Sequence, residues 1–215
     1  MRVHNLPFDI PFDYQLLLDR LKGRYRAPRN KIQSLCRSGE IIPVKKGLYI
    51  PGSPPGEVLR VDPLVLSGLI YGPSYVSKET ALAHHGLIPE RVDEITCVTS
   101  KRSKLFRTPV GRFSYTPVPE EVFPLGVTLE KARGGTWLLA EPEKALCDRI
   151  AQMRVVQAMR DVPVLLRDDL RIEPDAVCGF RLALVREIAR RYRRKSVTAF
   201  ANWLEKQHSP SASAS

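Results

Sequence analysis

The residues best equipped for chemistry lie in the stretch YVSKETALAHHGLIPE, residues 75–90. It contains a serine, a lysine, two glutamates and the adjacent pair His84 and His85, side chains that serve elsewhere as nucleophiles, general bases and metal ligands. Neighbouring residues of a helix point about 100° apart, so two adjacent histidines cannot both face one metal ion. No G-x-S-x-G sequence accompanies them. We therefore interpret this stretch as framework, with Gly86 turning the chain after a helix.

A second candidate for chemistry is the tetrad EPEK, residues 141–144. An acid two residues before a lysine belongs to several metal-dependent nuclease sites, but that position here is Pro142 and no obvious upstream aspartate completes a metal pair. Glu141 and Glu143 fit better near a helix N-terminus, where negative charge is favoured by about 0.3 to 1 kcal/mol. A nuclease-like, nucleic-acid-processing enzyme with an appended winged helix is therefore kept as the alternative function.

Other catalytic and cofactor motifs are not found in the sequence. It contains no P-loop and no G-x-G-x-x-G motif, so no nucleotide cofactor is predicted. The four cysteines are far apart and show neither C-x-x-C nor Cys/His ligand spacing, so we expect reduced core thiols and no metal site. They are Cys36, Cys97, Cys147 and Cys178. We predict no catalytic residues, no cofactor and no enzyme activity.

The net charge of +11 is concentrated in two parts of the chain. Residues 20–46 contain nine basic side chains against one acidic side chain, and residues 181–195 contain seven against one. Such clustering is typical of faces that bind a polyanion. Solvated faces that only aid solubility would explain one basic run well, and two less well.

The first basic cluster has the element order of a minimal winged helix. DYQLLLDRLKG and RNKIQSLCRSGE predict two helices, and IIPVKKGLYI predicts a hairpin with a glycine in its turn. In a winged helix the second helix enters the major groove and the wing contacts the backbone. A small helical hairpin used for protein contacts is the alternative. The winged helix predicts DNA contacts from Arg29, Lys31, Gln33, Ser34, Arg37, Lys45 and Lys46.

The second basic cluster lies in AVCGFRLALVREIARRYRRKSVTAFANWLEKQ, a stretch of helical composition, and predicts a basic C-terminal helix over FRLALVREIARRYRRK. Leu182, Val185, Ile188 or Ala189, and Tyr192 recur at three- and four-residue steps and would pack on the domain. The other faces would contact DNA phosphates without sequence specificity, or would bind an acidic surface of a protein partner. The residues on those faces are Arg186, Arg190, Arg193 and Arg194.

Residues that break helices and strands predict the domain boundaries. PGSPPGE predicts a linker within 51–62, between a DNA-binding domain at 1–50 and a mixed domain at 63–208. In the mixed domain DPLVLSGLIYG, KETALAHHGL and PEKALCDRIAQMRVVQAMRD predict helices, the last with periodicity through Met153. EITCVTS and GRFSYTPV predict strands around a basic loop, KRSKLFRTP, and GTWLLAE predicts a further strand. Residues 209–215 predict a disordered tail. The expected fold class is α/β, of the α+β kind.

Several spaced motifs resemble the AbiEi antitoxins of bacterial abortive-infection, type IV toxin–antitoxin systems. They are PSYVSKETALAHHGLIPERVDEITCVTSKRSKLFRTPVGRFSYTPV and LLAEPEKALCDRI, and NKIQSLCRSGEIIPVKKGLYI is similar to the winged-helix region that precedes that domain. The resemblance covers about residues 12 to 155. Only two helices and a wing are evident before the linker, so the sequence departs from the three-helix form of the motif.

The resemblance implies a transcriptional repressor with two partners. One is operator DNA, in the form of inverted repeats in its own promoter, and the other is a nucleotidyltransferase toxin of the AbiEii type. It implies no catalysis by the antitoxin, and we expect a monomer in solution that binds DNA cooperatively. No apolar run reaches the roughly 18 to 20 residues of a membrane span, and the N-terminus lacks a signal peptide, so we expect a cytoplasmic protein without a membrane partner.

Overall fold

The structure is a computed structural model that describes residues 9–54, 56–89, 92–153, 156 and 158–209. The predicted fold class is confirmed, because helices alternate with strands that form a three-stranded and a six-stranded sheet within this part of the chain. Of the predicted disordered tail at 209–215, Ser209 is described and donates from its backbone N–H to the carbonyl of Glu205 at 3.0 Å, and residues 210–215 lie outside the described residues.

The N-terminal unit packs two helices against the smaller sheet. Its strands pair antiparallel in the order β1-β3-β2, and β2 and β3 form the predicted hairpin. A small core of Phe12, Leu17, Leu21, Ile32, Leu35 and Ile41 holds helices and sheet together. The elements are β1 (Phe12–Asp13), α1 (Tyr14–Leu21), α2 (Pro28–Arg37), β2 (Ile41–Lys45) and β3 (Leu48–Pro51).

Local signals set the bounds of these helices. The Asp13 carboxylate accepts a 2.7 Å hydrogen bond from the backbone N–H of Leu16 and caps α1. Proline is favoured in the first turn of a helix, and Pro28 begins α2. Gly39, with φ of 73°, turns the chain after α2.

The larger unit is built on the six-stranded sheet, with strand order β6-β7-β5-β4-β9-β8. Strands β5 and β7 are parallel, as are β4 and β9, and the other neighbours are antiparallel. The elements are α3 (Pro63–Ile70), β4 (Ser74–Val76), α4 (Lys78–His84), β5 (Glu94–Thr99), β6 (Lys104–Thr108), β7 (Gly111–Pro117), β8 (Val127–Ala132), β9 (Gly135–Ala140) and α5 (Pro142–Ile150).

The predicted helices and strands of this unit are present, but one helix is too long and three strands were missed. The helix that begins at Pro142 ends at Ile150, where the Ser196 hydroxyl donates to the Ile150 carbonyl at 3.0 Å, and does not reach Met153 as its periodicity predicted. The segment KRSKLFRTP, predicted as a loop, contains the edge strand β6. Strand β8 is the other edge, and β4 is only three residues long. The edge strands β6 and β8 carry charged residues and lack the apolar pattern of buried strands, which explains why the sequence did not predict them. The central strand β4 is too short to show a periodic pattern.

The C-terminal part differs from the predicted single basic helix. Helix α8 (Leu182–Tyr192) ends where Arg193 adopts a left-handed conformation with φ of 53°, and α9 (Lys195–His208) begins two residues later. The two helices pack against each other because α9 has its own buried face, which includes Phe200 and Trp203. Before them come a 3₁₀ turn (Met159–Asp161), α6 (Val162–Val164), a π-helical turn (Leu165–Asp169) and α7 (Pro174–Val177).

The predicted linker at 51–62 is not a free connection where the structure describes it. Val61 is fully buried, and the backbone N–H of Asp62 donates to the carbonyl of Arg133 at 2.8 Å. The hairpin residues Val44, Leu48 and Ile50 also belong to the core of the larger unit. The two units are therefore joined by shared packing of the hairpin and by contacts of Val61 and Asp62.

A buried ion pair lies at the centre of the larger unit. Lys144 and Asp148 are both 0% exposed, and the Lys144 ammonium donates to one Asp148 oxygen at 2.6 Å. The Tyr192 hydroxyl donates to the same oxygen at 2.6 Å, while Tyr75 and Ser77 donate to the other at 3.0 and 2.7 Å. Burial and the Asp148 carboxylate raise the pKa of both tyrosines, so they remain neutral donors.

We predict that Lys144→Met lowers the free energy of unfolding by about 3 to 5 kcal/mol, because it leaves the buried Asp148 carboxylate without its counter-charge. Lys22→Met is the matched control, since Lys22 pairs with Asp19 on an exposed helix where the side chains are 59% and 53% exposed. The control should change stability by less than about 0.5 kcal/mol. Chemical denaturation measures both, and equal losses would contradict the central role of the buried pair.

Candidate nucleic-acid interface

Helix α2 presents the predicted DNA-binding residues on one exposed surface. Ile32 and Leu35 face the small core, which turns the polar positions between and beside them outward. Arg29, Gln33, Ser34 and Arg37 are exposed, and Lys31 is half-buried with its ammonium 5.4 Å from the centre of the Tyr25 ring. Within the described part of the chain, no carboxylate pairs with Arg29, Lys31 or Arg37.

The two lysines at the turn of the β2–β3 hairpin have different surroundings, although the sequence predicted one role for both. Lys46 is exposed in the turn of the hairpin. The Lys45 ammonium instead donates to the carbonyls of Leu69 and Ile70, at the end of α3, at 2.7 and 2.6 Å. Burial and the nearby Lys101 and Lys104 lower the pKa of Lys45. The Lys45 side chain thus holds the hairpin against the larger unit, whereas the Lys46 side chain is exposed and can contact a ligand.

The C-terminal arginines are largely paired with glutamates. Arg190 contacts Glu187 at 2.7 Å and Arg193 lies 3.9 Å from Glu121, while Arg186 pairs with Glu205. Arg194 is exposed and lines, with Arg193 and Lys195, a concavity of about 370 Å³. The predicted residues are therefore close together around α8, but neighbouring carboxylates offset part of their positive charge.

The histidine pair makes framework contacts. The Nε2 atom of His85 lies 2.8 Å from the carbonyl oxygen of Ala140, at the end of β9. His84 is exposed and packs edge-on against Trp137, with the ring centres 5.4 Å apart. In the part of the chain that the structure describes, no three His, Cys, Asp or Glu side chains are placed to share a metal ion.

The charged residues of EPEK are occupied by internal contacts. Glu143 is buried and accepts hydrogen bonds from the backbone N–H and the guanidinium of Arg181, at 2.9 to 3.1 Å. Burial would raise the pKa of Glu143, but these bonds outweigh it and hold that pKa below its usual value. Glu141 also pairs with Arg181, at 2.8 Å, and Lys144 is committed to Asp148. The carboxylates and the ammonium that a metal-dependent nuclease would use for metal binding and catalysis are therefore held in internal ion pairs.

The four cysteines differ in burial, although the sequence predicted core thiols at all four positions. Cys97 and Cys147 are buried, and burial raises the pKa of both thiols. Cys36 and Cys178 are only half-buried. All four are free thiols in the structure.

A third basic surface, which the sequence did not single out, lies next to the β2–β3 hairpin. Lys101, Arg102 and Lys104 are exposed in and before the edge strand β6. The segment KRSKLFRTP was the available signal, but only the tertiary structure places it beside Lys45.

The chain is similar in fold to a protein of known structure. No protein-family model and no curated protein sequence matches the chain. The chain is similar to the crystal structure of the RV2827C protein from Mycobacterium tuberculosis, with a TM-score of 0.54 and 16% sequence identity. The similarity covers 94% of this chain and 78% of the other. At this identity the comparison supports the fold and says nothing about function.

A membrane span requires a helix of sufficient length and apolarity. In the described ranges, no helix is both long enough and apolar enough to cross a lipid bilayer.

We predict that Lys45→Met and Lys46→Met affect stability differently. Loss of the Lys45 ammonium leaves two carbonyls of α3 without their donor and should lower the free energy of unfolding by about 1 to 2 kcal/mol. Lys46→Met removes the same charge from an exposed turn and should leave stability nearly unchanged. Thermal unfolding of the two variants measures the difference, and equal melting temperatures would show that Lys45 does not fasten the wing.

Proposed function

We propose that this protein is a DNA-binding autoregulator and antitoxin of the AbiEi type. The observation that carries the proposal is the exposed face of α2, where cationic and amide side chains lie together without acidic partners in the described chain. Arg and Lys can make paired hydrogen bonds to guanine, and Gln or Asn to adenine, so such a face is suited to reading base edges in a major groove.

The element order of the N-terminal unit supports a winged helix. A short strand and α1 precede α2, and the hairpin β2–β3 follows it. In this assignment α2 is the recognition helix, and Lys46 at the wing tip contacts the phosphate backbone. The unit has two helices in the described residues, so it represents a reduced form of the three-helix motif.

The partner toxin is proposed from the resemblance alone. An AbiEi-like protein would repress its own operon through inverted repeats and counteract a nucleotidyltransferase of the AbiEii type. The protein would act in the cytoplasm, as a monomer that binds neighbouring repeats cooperatively, and without a catalytic step of its own.

The proposal assigns the C-terminal arginines a smaller share of DNA binding than α2. Arg186, Arg190 and Arg193 each have a glutamate partner, and a phosphate would have to compete with that carboxylate. Arg194 has no carboxylate partner among the described residues and is the strongest candidate of this group.

We predict that Arg37→Ala weakens binding to the cognate operator by about 1 to 3 kcal/mol and relaxes its sequence preference, because Arg37 would contact a base edge. Lys46→Gln should weaken binding to all duplexes similarly and reduce the slope of log affinity against log salt by about 1. Titration of operator and scrambled duplexes at fixed salt, and then over a salt series, measures both effects. Unchanged operator affinity in both variants would reject the assignment of α2 and the wing.

The antitoxin role has a separate test. If a nucleotidyltransferase reading frame lies beside this gene, co-expression with the full chain should restore growth of cells that are inhibited by the toxin. Arg37→Ala should still rescue when both genes are driven by foreign promoters, since repression is then irrelevant. Failure of the folded wild-type chain to rescue would reject the antitoxin role and leave DNA binding to be judged on its own.

A further inference from the structure

The wing and the connection between β5 and β6 meet at the end of α3. The Lys45 ammonium donates to the carbonyls of Leu69 and Ile70 at 2.7 and 2.6 Å. The Lys101 ammonium donates to the carbonyl of Gly72. Two lysines from distant parts of the sequence thus donate hydrogen bonds to carbonyls within the four-residue segment 69–72. These bonds place the hairpin turn and the β5–β6 connection side by side.

Aromatic side chains make cation–π contacts with Lys101 and Lys104. The Lys101 and Lys104 ammonium groups each lie 5.5 Å from the centre of the Tyr71 ring, and Lys104 lies 5.2 Å from that of Phe106. The Tyr71 hydroxyl donates to the carbonyl of Arg102 at 3.3 Å. Contacts of this type orient a cation while leaving its other donors free.

Within the described residues no carboxylate pairs with Lys45, Lys46, Lys101, Arg102 or Lys104. The arginines of α8 differ in this respect, because most of them pair with glutamates. Clustered cations without acids repel one another, and this repulsion is relieved when a polyanion binds.

We propose that Lys46, Arg102 and Lys104 form a phosphate-binding ridge that extends the DNA interface from the wing onto the edge of the six-stranded sheet. Lys45 and Lys101 hold the two parts of the ridge together. The ridge contacts the sugar–phosphate backbone of duplex DNA next to the segment that the wing engages, without reading its sequence. This inference rests on the proposed DNA-binding function and enlarges its footprint.

Protection of an exposed strand edge is a simpler reason for charged residues in β6. It does not account for the position of the cluster, because Arg102 precedes the strand and Lys104 lies with Phe106 against Tyr71. Side chains alternate along a strand, so Leu105 and Arg107 belong to the opposite face. Arg107 is exposed there and protects the same edge without joining the ridge.

Because side chains alternate along β6, a residue on its opposite face supplies a matched control for the test. The ridge variant is Arg102→Gln with Lys104→Gln, and the control is Arg107→Gln with Lys131→Gln. Each pair removes two exposed positive charges, and Lys131 lies on β8, at the other edge of the sheet. Thermal unfolding checks that both variants keep the stability of the wild type. The probe is a duplex of mixed sequence that spans several helical turns, titrated over a series of KCl concentrations.

The ridge variant should reduce the slope of log affinity against log salt by about 1 to 2, since each lost phosphate contact accounts for about 0.9. The control should keep the wild-type slope. Equal slopes in both variants, with wild-type DNA binding intact, would reject the ridge and leave the proposed function standing. Absence of DNA binding by the wild-type chain would instead overturn the proposed function itself. An unchanged slope together with lost toxin rescue in the ridge variant would reject DNA as the ligand and assign the ridge to an acidic protein surface.

Discussion

The buried carboxylate of Asp148 joins parts of the chain that are far apart in sequence. It accepts hydrogen bonds from Tyr75 and Ser77 at the end of β4, from Lys144 in α5 and from Tyr192 in α8. Removing two charges from water costs several kcal/mol each, and only a full set of partners offsets that cost. The arrangement of the sheet and of the helices on that face therefore depends on these donors remaining in register.

The second constraint is the packing of the β2–β3 hairpin. One part of the hairpin, Ile41, belongs to the small core beneath α1 and α2, while Val44, Leu48 and Ile50 belong to the core of the larger unit. Lys45 adds hydrogen bonds to the end of α3. The proposed recognition helix is thus held in a defined position relative to the six-stranded sheet, and a ligand bound by α2 can also meet residues of the sheet edge.

The distribution of ion pairs separates two kinds of basic surface. Around α8, glutamates at 121, 187 and 205 lie beside the arginines, so part of the positive charge is internally compensated. On α2, the wing tip and the β5–β6 connection, the described cations have no carboxylate partners. Because both regions have a large excess of basic residues in the sequence, composition alone could not rank them as sites for a polyanion.

The sequence by itself determined the fold class, the two N-terminal helices, the hairpin and the exposed face of α2. These follow from local periodicity and turn residues, which act over a few positions. It did not determine the edge strands β6 and β8, the break between α8 and α9 at Arg193, or the different environments of Lys45 and Lys46. The edge strands depend on pairing with distant strands, and the break at Arg193 depends on the burial of the apolar face of α9. The environment of Lys45 depends on its contact with the end of α3. These are contacts between residues far apart in the chain, and no local pattern encodes them.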